Sequence, residues 1–331
     1  MASKVAFIGT GGTIASIGTS PLDILDYTAN NTMLHAEEVI AAVPSVHEVA
    51  EVRVVKFRNI PSPAMFFPEW KELVGLCGRL VEEDPGLSGI VIGHGTASLE
   101  ETAYFLNLTL KVSVPVVIVG SQRPLSGLAS DAAMNLVAAV RTAASQASRG
   151  RGVLVVLNDE IQAAREVTKT STFRLQTFRT PDFGVLGSVD GEYVRYYRRT
   201  ERRNAPETEL DIGRLDALPR VDIAYSYTGS DGAAIRAFVA AGAKGIIAAC
   251  MAPGMVTPGD AAAIGEATTA GVAVMTATRA GSGVTLDSAK LKALGVIAAD
   301  NLNPQKARLL LALGLANGAD AEDLRRIFAT Y

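Results

Sequence analysis

Residues 5–14 read VAFIGTGGTI, and this stretch decides the fold class of the protein. Its first four residues are apolar and are typical of a short buried strand. Glycines stand at positions 9, 11 and 12, so the backbone can turn tightly as soon as that strand ends. Because ligands of open α/β sheets bind at the carboxyl ends of strands, this loop is a candidate functional site.

Short apolar runs continue to alternate with longer amphipathic stretches along the chain. Runs of the first kind, typical of buried strands, occupy residues 5–8, 89–92, 116–119, 153–157, 221–225, 245–249 and 272–275. Stretches of the second kind, typical of helices, occupy residues 70–83, 99–110, 131–147, 232–241 and 258–270. The alternation predicts an α/β fold in which a parallel sheet is covered by helices on both faces.

The alternation stops between about Tyr196 and Pro219, where residues 198–206 are charged and contain few apolar side chains. A chain of 331 residues is long enough for two domains of the usual size of about 150 residues. We therefore expect a larger N-terminal α/β domain at residues 1–197, an exposed linker at 198–218 and a smaller C-terminal α/β domain at 219–331.

Composition and charge exclude several classes of protein. With 48% hydrophobic and 20% charged residues the chain is typical of a globular protein, and its net charge of −3 provides no electrostatic footprint for nucleic acid. Cys77 and Cys250 are far apart and lack neighbouring ligands, so we expect two buried thiols rather than a disulfide or a zinc site. The apolar run at residues 5–8 is too short for a signal peptide or a membrane span, from which we expect a cytoplasmic protein without membrane contact.

The first candidate loop, residues 9–14, carries the hydroxyl groups of Thr10 and Thr13. A dinucleotide-binding loop would need a third glycine where Ile14 stands, and a phosphate-binding loop would end in Gly-Lys-Ser or Gly-Lys-Thr. Cofactor binding is therefore disfavoured. A glycine turn with capping threonines remains the structural alternative to a functional loop.

The second candidate loop, residues 93–98, follows the strand predicted at 89–92. Ser98 and Glu101 have the spacing of a capping box, so a helix is expected to begin there with Thr96 just before its positive end. That position suits binding of an anion or polarisation of a water, although a capping role for Thr96 is equally compatible with the pattern. His94 is expected to be a packed, hydrogen-bonded residue rather than a ligand.

The third candidate loop contains Lys169 between the hydroxyl residues Thr168 and Thr170. A lone lysine in such a setting suits a buried amine with a lowered pKa, able to act as a base, whereas a solvated lysine is the alternative. Hydroxyls and one lysine, without a usable histidine or thiol, indicate acyl transfer from a hydroxyl nucleophile. Composition alone does not name the substrate.

Together these segments resemble the bacterial-type L-asparaginase and glutaminase family. Residues 10–15 match its first signature, and residues 93–106 match most of its second. Further agreement lies at Asp159, Arg165, 167–170, 184–187 and 303–308, so the resemblance covers nearly the whole chain. It implies an asparaginase-like fold of two α/β domains and hydrolysis of an amide with release of ammonia. It implies neither a metal nor an organic cofactor.

The resemblance also assigns roles to individual residues. It implies that Thr13 is the nucleophile and carries the acyl group until water hydrolyses it. Tyr27, on a mobile loop after the first strand, would activate Thr13, although it stands one residue further along than is usual. Thr96 and Lys169 would form a second pair that orients water and moves protons, and the backbone at Thr96 and Ala97 would stabilise the oxyanion.

The remaining implications concern substrate and assembly. The positions that match the family's substrate pocket are Gly12, Ser62, Pro63, Gly95, Ala97, Met255 and Lys290. The resemblance further implies a homotetramer built as a dimer of dimers. In that assembly each site lies between the large domain of one subunit and the small domain of its neighbour.

Several of these positions depart from the family pattern. The family has an aspartate where this chain has Ala97, and that carboxylate pairs with the substrate's α-ammonium and completes a threonine-lysine-aspartate relay. A side-chain amide is replaced by Pro63 beside the retained Ser62. In the second domain, an asparagine and a glutamate that reach a neighbouring subunit's site are replaced by Met255 and Lys290.

These departures predict a changed substrate preference. A buried ammonium without a counter-charge is costly, so free L-asparagine is expected to bind poorly. Our hypothesis is an amidase whose substrate lacks the amino group or carries it masked, with an apolar pocket formed by Pro63, Ala64, Met65 and Met255. One alternative is an ordinary L-asparaginase in which another carboxylate, such as Glu100, takes over. Another is a non-catalytic relative that binds a small molecule.

Overall fold

The computed structural model describes residues 3–29 and 32–331, and the chain divides into two compact units between Thr208 and Glu209. Both units are α/β, as the alternation of short and long segments predicts. Within the described residues, no helix is long and apolar enough to cross a lipid bilayer.

The N-terminal unit contains the strands β1 (Lys4–Gly9), β2 (Glu51–Val55), β3 (Gly89–Gly93), β4 (Val116–Val119), β5 (Val153–Leu157), β6 (Glu160–Ala163), β7 (Thr168–Lys169), β8 (Phe178–Arg179), β9 (Gly187–Asp190) and β10 (Tyr193–Tyr196). Eight of them form one sheet of order β10-β9-β6-β5-β4-β3-β1-β2, and β7 and β8 form a separate pair. Its helices are α1 (Ala36–Ala42), α2 (Phe67–Glu83), α3 (Leu99–Thr109) and α4 (Ala132–Ala144).

The five strands from β2 to β5 in this order are parallel, and β6, β9 and β10 add antiparallel pairs at one side. The prediction of a parallel sheet is therefore right for its centre and incomplete at this side. Strands β3, β4 and β5 are buried along their whole length because both faces of the sheet are covered. One face packs against α1 and α4 in a continuous apolar core.

The register of β1 and β3 brings two of the candidate loops to the same edge of the sheet. Ile8 pairs with Ile92 and Gly9 with Gly93, so both strands end at the same level. The Thr10 backbone N–H then donates to the Gly93 carbonyl over 2.9 Å. The loops that carry Thr13 and Thr96 thus leave the sheet side by side.

The C-terminal unit has four strands, β11 (Val221–Tyr225), β12 (Gly245–Cys250), β13 (Ala273–Thr278) and β14 (Ile297–Ala298). They form a parallel sheet of order β11-β12-β13-β14. Its helices are α5 (Ala233–Ala240), α6 (Pro258–Thr269), α7 (Ala289–Ala293), α8 (Pro304–Ala316) and α9 (Ala321–Thr330). Helices α5, α6 and α7 contribute to one apolar core with the strands.

The segment at 198–218 forms neither helix nor strand, but it is not the fully exposed linker that its charges suggest. Four of its side chains are buried, namely Ala205, Thr208, Leu210 and Ile212. These small or apolar residues alternate with charged ones, so the segment can face both the protein and the solvent. Both cysteines are buried free thiols, as expected.

Candidate active site

Thr13 begins a short 3₁₀ turn directly after Gly12, at the carboxyl end of β1. Its Oγ1 lies 2.9 Å from the hydroxyl oxygen of Tyr27, within hydrogen-bond distance. Both side chains are partly exposed, so a substrate can reach the pair. The extra residue in the intervening segment therefore does not keep Tyr27 away from Thr13.

Gly12 and Gly95 pack backbone against backbone, which joins the first loop to the second. A Cβ on Gly12 would lie 2.2 Å from the Cα of Gly95, and Gly12 has a φ of 86°. A Cβ on Gly95 would lie 2.8 Å from the Oγ of Ser62. Glycine is therefore required at both positions, and three predicted pocket residues converge here.

Thr96 and Lys169 form a hydrogen-bonded pair in which the Lys169 amino group donates to Thr96 Oγ1 over 2.8 Å. The pairing of β7 with β8 positions Lys169, and Thr96 lies between β3 and α3. Burial lowers the pKa of Lys169, because the charged form loses solvation, while the negative charge of Glu100 acts in the opposite direction. The amine is thus held in the setting that a proton acceptor needs.

Glu100 is the acidic group that acts on this lysine. Its side chain lies in the first turn of α3 and is only 7% exposed, and its Oε1 is 3.5 Å from the Lys169 backbone nitrogen. A carboxylate buried beside Lys169 is poorly placed to meet a substrate ammonium. From the sequence, Glu100 is one candidate to replace the missing aspartate. The structure places its carboxylate beside Lys169.

His94 is fully buried, as its expected packing role requires. Its Nδ1 lies 2.7 Å from the Gly95 carbonyl oxygen, and its Nε2 lies 2.9 Å from Thr102 Oγ1. Burial lowers the pKa of His94 to about 4, so its ring is neutral at physiological pH. The Sδ of Met65 is 3.1 Å from Nε2, and Met65 is only 4% exposed. The expectation that Met65 lines an apolar pocket is therefore wrong, because its side chain packs inside against His94.

The capping box expected at Ser98 and Glu101 is also absent from the described structure. Helix α3 does begin after Ser98, but the Ser98 side chain makes no capping hydrogen bond and its ψ of 17° is not extended. Its hydroxyl instead donates to the Ser62 carbonyl oxygen over 2.7 Å. Ser98 therefore ties the segment around Ser62 to the second loop.

The two pocket positions that depart from the family pattern in this unit are exposed. Ala97 lies one residue before the N-cap of α3, and Pro63 lies beside buried Ser62 in a short 3₁₀ turn. Neither side chain can pair with a cation. Ala97 also lies at the positive end of α3.

Met255 and Lys290 lie in the C-terminal unit. Met255 follows β12, is 60% exposed and forms an isolated backbone bridge with Met251. Lys290 is exposed in α7. Their contribution to a substrate pocket stays a prediction. Over residues 3–29 and 32–331, no three His, Cys, Asp or Glu side chains are grouped as metal ligands.

Comparison with known proteins identifies the family. Residues 4–202 match the family described as asparaginase, N-terminal, and residues 220–328 match the glutaminase/asparaginase C-terminal domain. The chain is 36% identical over 328 residues to L-asparaginase 2 of Bacillus subtilis, covering 99% of this chain and 86% of the relative. It is also 36% identical over 334 residues to a glutaminase-asparaginase of Pseudomonas fluorescens biotype A, covering 99% and 91%.

A solved structure is similar over the same length. The crystal structure of a probable cytoplasmic L-asparaginase from Campylobacter jejuni superposes with a TM-score of 0.94 at 35% identity. The match covers 99% of this chain and 100% of that one.

Proposed function

The chain belongs to the bacterial-type L-asparaginase and glutaminase family of amidohydrolases, and on that premise we propose that it hydrolyses a small carboxamide through a Thr13 acyl-enzyme. Thr13 Oγ1 attacks the amide carbonyl carbon. Tyr27, 2.9 Å away, accepts the hydroxyl proton while its own proton passes to the departing nitrogen. Ammonia leaves, and the acyl group remains as an ester on Thr13.

Water completes the reaction with help from the second hydroxyl-amine pair. Lys169, whose pKa is lowered by burial, takes a proton from the attacking water, with the hydroxyl of Thr96 as the hydrogen-bonded relay. The Thr13 ester bond then breaks, the threonine oxygen is protonated again, and the acid product departs. Glu100 limits the fall in the lysine's pKa, which keeps the pair able both to accept and to return a proton.

We further propose that the preferred substrate has no free α-ammonium. One observation carries this proposal, which is that exposed Ala97 stands at the N-terminal end of α3 where the family has a carboxylate. Glu100, the carboxylate whose charge acts on the pKa of Lys169, is buried beside that lysine. A substrate ammonium would therefore lie at the positive end of α3 without a counter-charge, whereas a substrate carboxylate would be attracted to the same region.

The decisive experiment compares ammonia release from L-asparagine and from succinamate, which is the same amide without the amino group. Thr13→Val is the matched control, because it removes the hydroxyl and keeps the side-chain shape. A higher kcat/KM for succinamate supports the proposal. A preference for L-asparagine refutes the changed specificity, and ammonia release that survives Thr13→Val refutes the nucleophile.

An ordinary L-asparaginase is the second candidate function. It is favoured by the relatives named as L-asparaginases that match 99% of this chain at 36% identity. In that case a carboxylate other than Glu100 has to meet the ammonium. The same comparison of amides distinguishes the two candidates. A ligand-induced thermal shift without ammonia release from any amide would instead indicate a binding protein.

We also propose a homotetramer in the cytoplasm. Met255 and Lys290 lie in the C-terminal unit, so their predicted pocket role is fulfilled if they reach the site of a neighbouring subunit. The Campylobacter jejuni protein is titled probable cytoplasmic, while a Haemophilus influenzae relative is named as periplasmic. Light scattering tests the oligomeric state, and cell fractionation tests the location.

A further inference from the structure

The buried His94 has no part in the reaction described above, yet its ring is hydrogen-bonded to the backbone of the second candidate loop. Its Nδ1 partner, the Gly95 carbonyl oxygen at 2.7 Å, can only accept a hydrogen bond. Nδ1 must therefore carry the hydrogen. Since the pKa of His94 is lowered to about 4, the ring is neutral and Nε2 is an acceptor.

The donors on the other side of the ring agree with this tautomer. Trp70 Nε1 can only donate, and it lies 2.9 Å from Thr102 Oγ1. The Thr102 hydroxyl hydrogen is then directed to His94 Nε2 at 2.9 Å rather than to Met65 Sδ, a weak acceptor 3.7 Å away. Hydrogen bonds thus run in one direction from Trp70 through Thr102 and His94 to the Gly95 carbonyl. Trp70 is itself held by stacking on Phe105, with ring centroids 4.8 Å apart.

The peptide group at the end of this series of hydrogen bonds, between Gly95 and Thr96, belongs to the candidate active site. The Gly95 carbonyl and the Thr96 N–H are parts of one peptide group, so polarising the carbonyl strengthens the N–H as a donor. Over the part of the chain that the structure describes, the Thr96 N–H has no hydrogen-bond acceptor. It is therefore available to the oxyanion of a tetrahedral intermediate.

From these contacts we infer that His94 is a positioning residue for amide hydrolysis. Its neutral Nδ1–H tautomer, set by Thr102 and Trp70, orients and polarises the Gly95–Thr96 peptide as an oxyanion donor. This inference rests on the proposed function. Trp70, Thr102 and His94 are all buried, so they act on the reaction through this peptide group.

The kinetic test uses Thr102→Val in the full-length protein, with Thr109→Val as control. Thr109 lies on the same helix, is equally buried, and donates within the helix to Phe105. With whichever of L-asparagine and succinamate is hydrolysed faster, Thr102→Val is expected to lower kcat about tenfold and to leave KM within about twofold. Thr109→Val is expected to change neither. An unchanged kcat in Thr102→Val, or a loss confined to KM, overturns the inference.

His94 variants separate positioning from simple packing. In His94→Asn the side-chain amide can still donate to the Gly95 carbonyl, so kcat should stay within about fivefold of wild type. In His94→Leu the donor is lost, and a fall of about 100-fold is expected. Equal losses in both variants would show that only packing matters.

The tautomer is also measured without turnover. The chain has three histidines, so ¹⁵N-histidine labelling resolves His94 against exposed His35 and His47. We expect a neutral Nδ1–H ring at pH 6, and an Nε2–H tautomer or an imidazolium overturns the inference. If wild type releases ammonia from neither amide, the proposed substrates are wrong, and this spectrum still decides the state of the ring.

Discussion

Restoring a carboxylate at position 97 is expected to shift substrate preference toward L-asparagine. Ala97 is exposed one residue before the N-cap of α3, so Ala97→Asp adds a negative charge at the positive end of a helix. That change is expected to stabilise the helix by about 0.5 kcal/mol, so the variant should fold as the wild type does. Ala97→Asn, which has the same shape without charge, is the matched control.

The magnitude follows from the exposure of position 97. Two unit charges 4 Å apart attract by about 1 kcal/mol in water and about 4 kcal/mol near a protein surface, and hydrogen bonds to charged groups contribute about 1.5–3 kcal/mol. Because the site is open to solvent, we take the lower part of this range, about 1.5 kcal/mol. This corresponds to a change of roughly tenfold in kcat/KM.

The assay measures ammonia release from L-asparagine and succinamate by wild type and both variants. The ratio of the two kcat/KM values is the useful quantity, because any effect on Thr13, Tyr27 or Lys169 acts on both substrates and cancels. Ala97→Asp should raise the asparagine-to-succinamate ratio about tenfold, and Ala97→Asn should leave it within about twofold. A ratio that responds equally to both variants would refute the argument from charge.

Three further predictions concern the site and its surroundings. Gly12→Ala places a Cβ 2.2 Å from the Gly95 Cα at a φ of 86°, so it should lower the free energy of unfolding in urea by about 3 kcal/mol. Gly150 has a φ of 65° but open space around it, so Gly150→Ala should lower that free energy by only about 1 kcal/mol. Equal losses would contradict the steric reading. Glu100→Gln removes the charge that raises the pKa of Lys169, so the rise of kcat/KM with pH should begin at lower pH than in wild type. A shift to higher pH would contradict the role of Lys169 as the base. Burial raises the pKa of both cysteines to about 12, so neither should react with a thiol reagent at pH 8 until the protein is unfolded, and rapid labelling of the native protein would be inconsistent with their burial.

Local pattern predicted the central strands well. The runs at 116–119 and 153–157 agree with β4 and β5 at both ends, because continuous β-branched runs are buried on both faces. The strands β2, β6, β9 and β10 are as short as β4 and β5, but they escaped prediction because they carry polar residues beside apolar ones. Such strands form through pairing with a neighbour, which a local pattern does not reveal.

The partners of individual polar side chains were harder to predict. Ser98 has the spacing for a cap with Glu101, but its hydroxyl bonds to the carbonyl of Ser62, which is 36 residues away. Met65 has the character of a pocket residue, but the ring of buried His94 occupies the space beside its sulfur. In both cases the preferred partner is a group brought close by the packing of another loop.

The α/β class, the two-domain organisation and the loops that carry the candidate residues could all be predicted from the amino-acid sequence, because periodicity and glycine positions are local properties. The tertiary structure was needed to show which of these side chains contact one another. The contact of Lys169 with Thr96 spans 73 positions, and the effect of Glu100 on that lysine spans 69. Such pairs form because packing brings the antiparallel pair of β7 and β8 against the loop after β3, so that hydrogen bonds and burial act between segments that are distant in the chain.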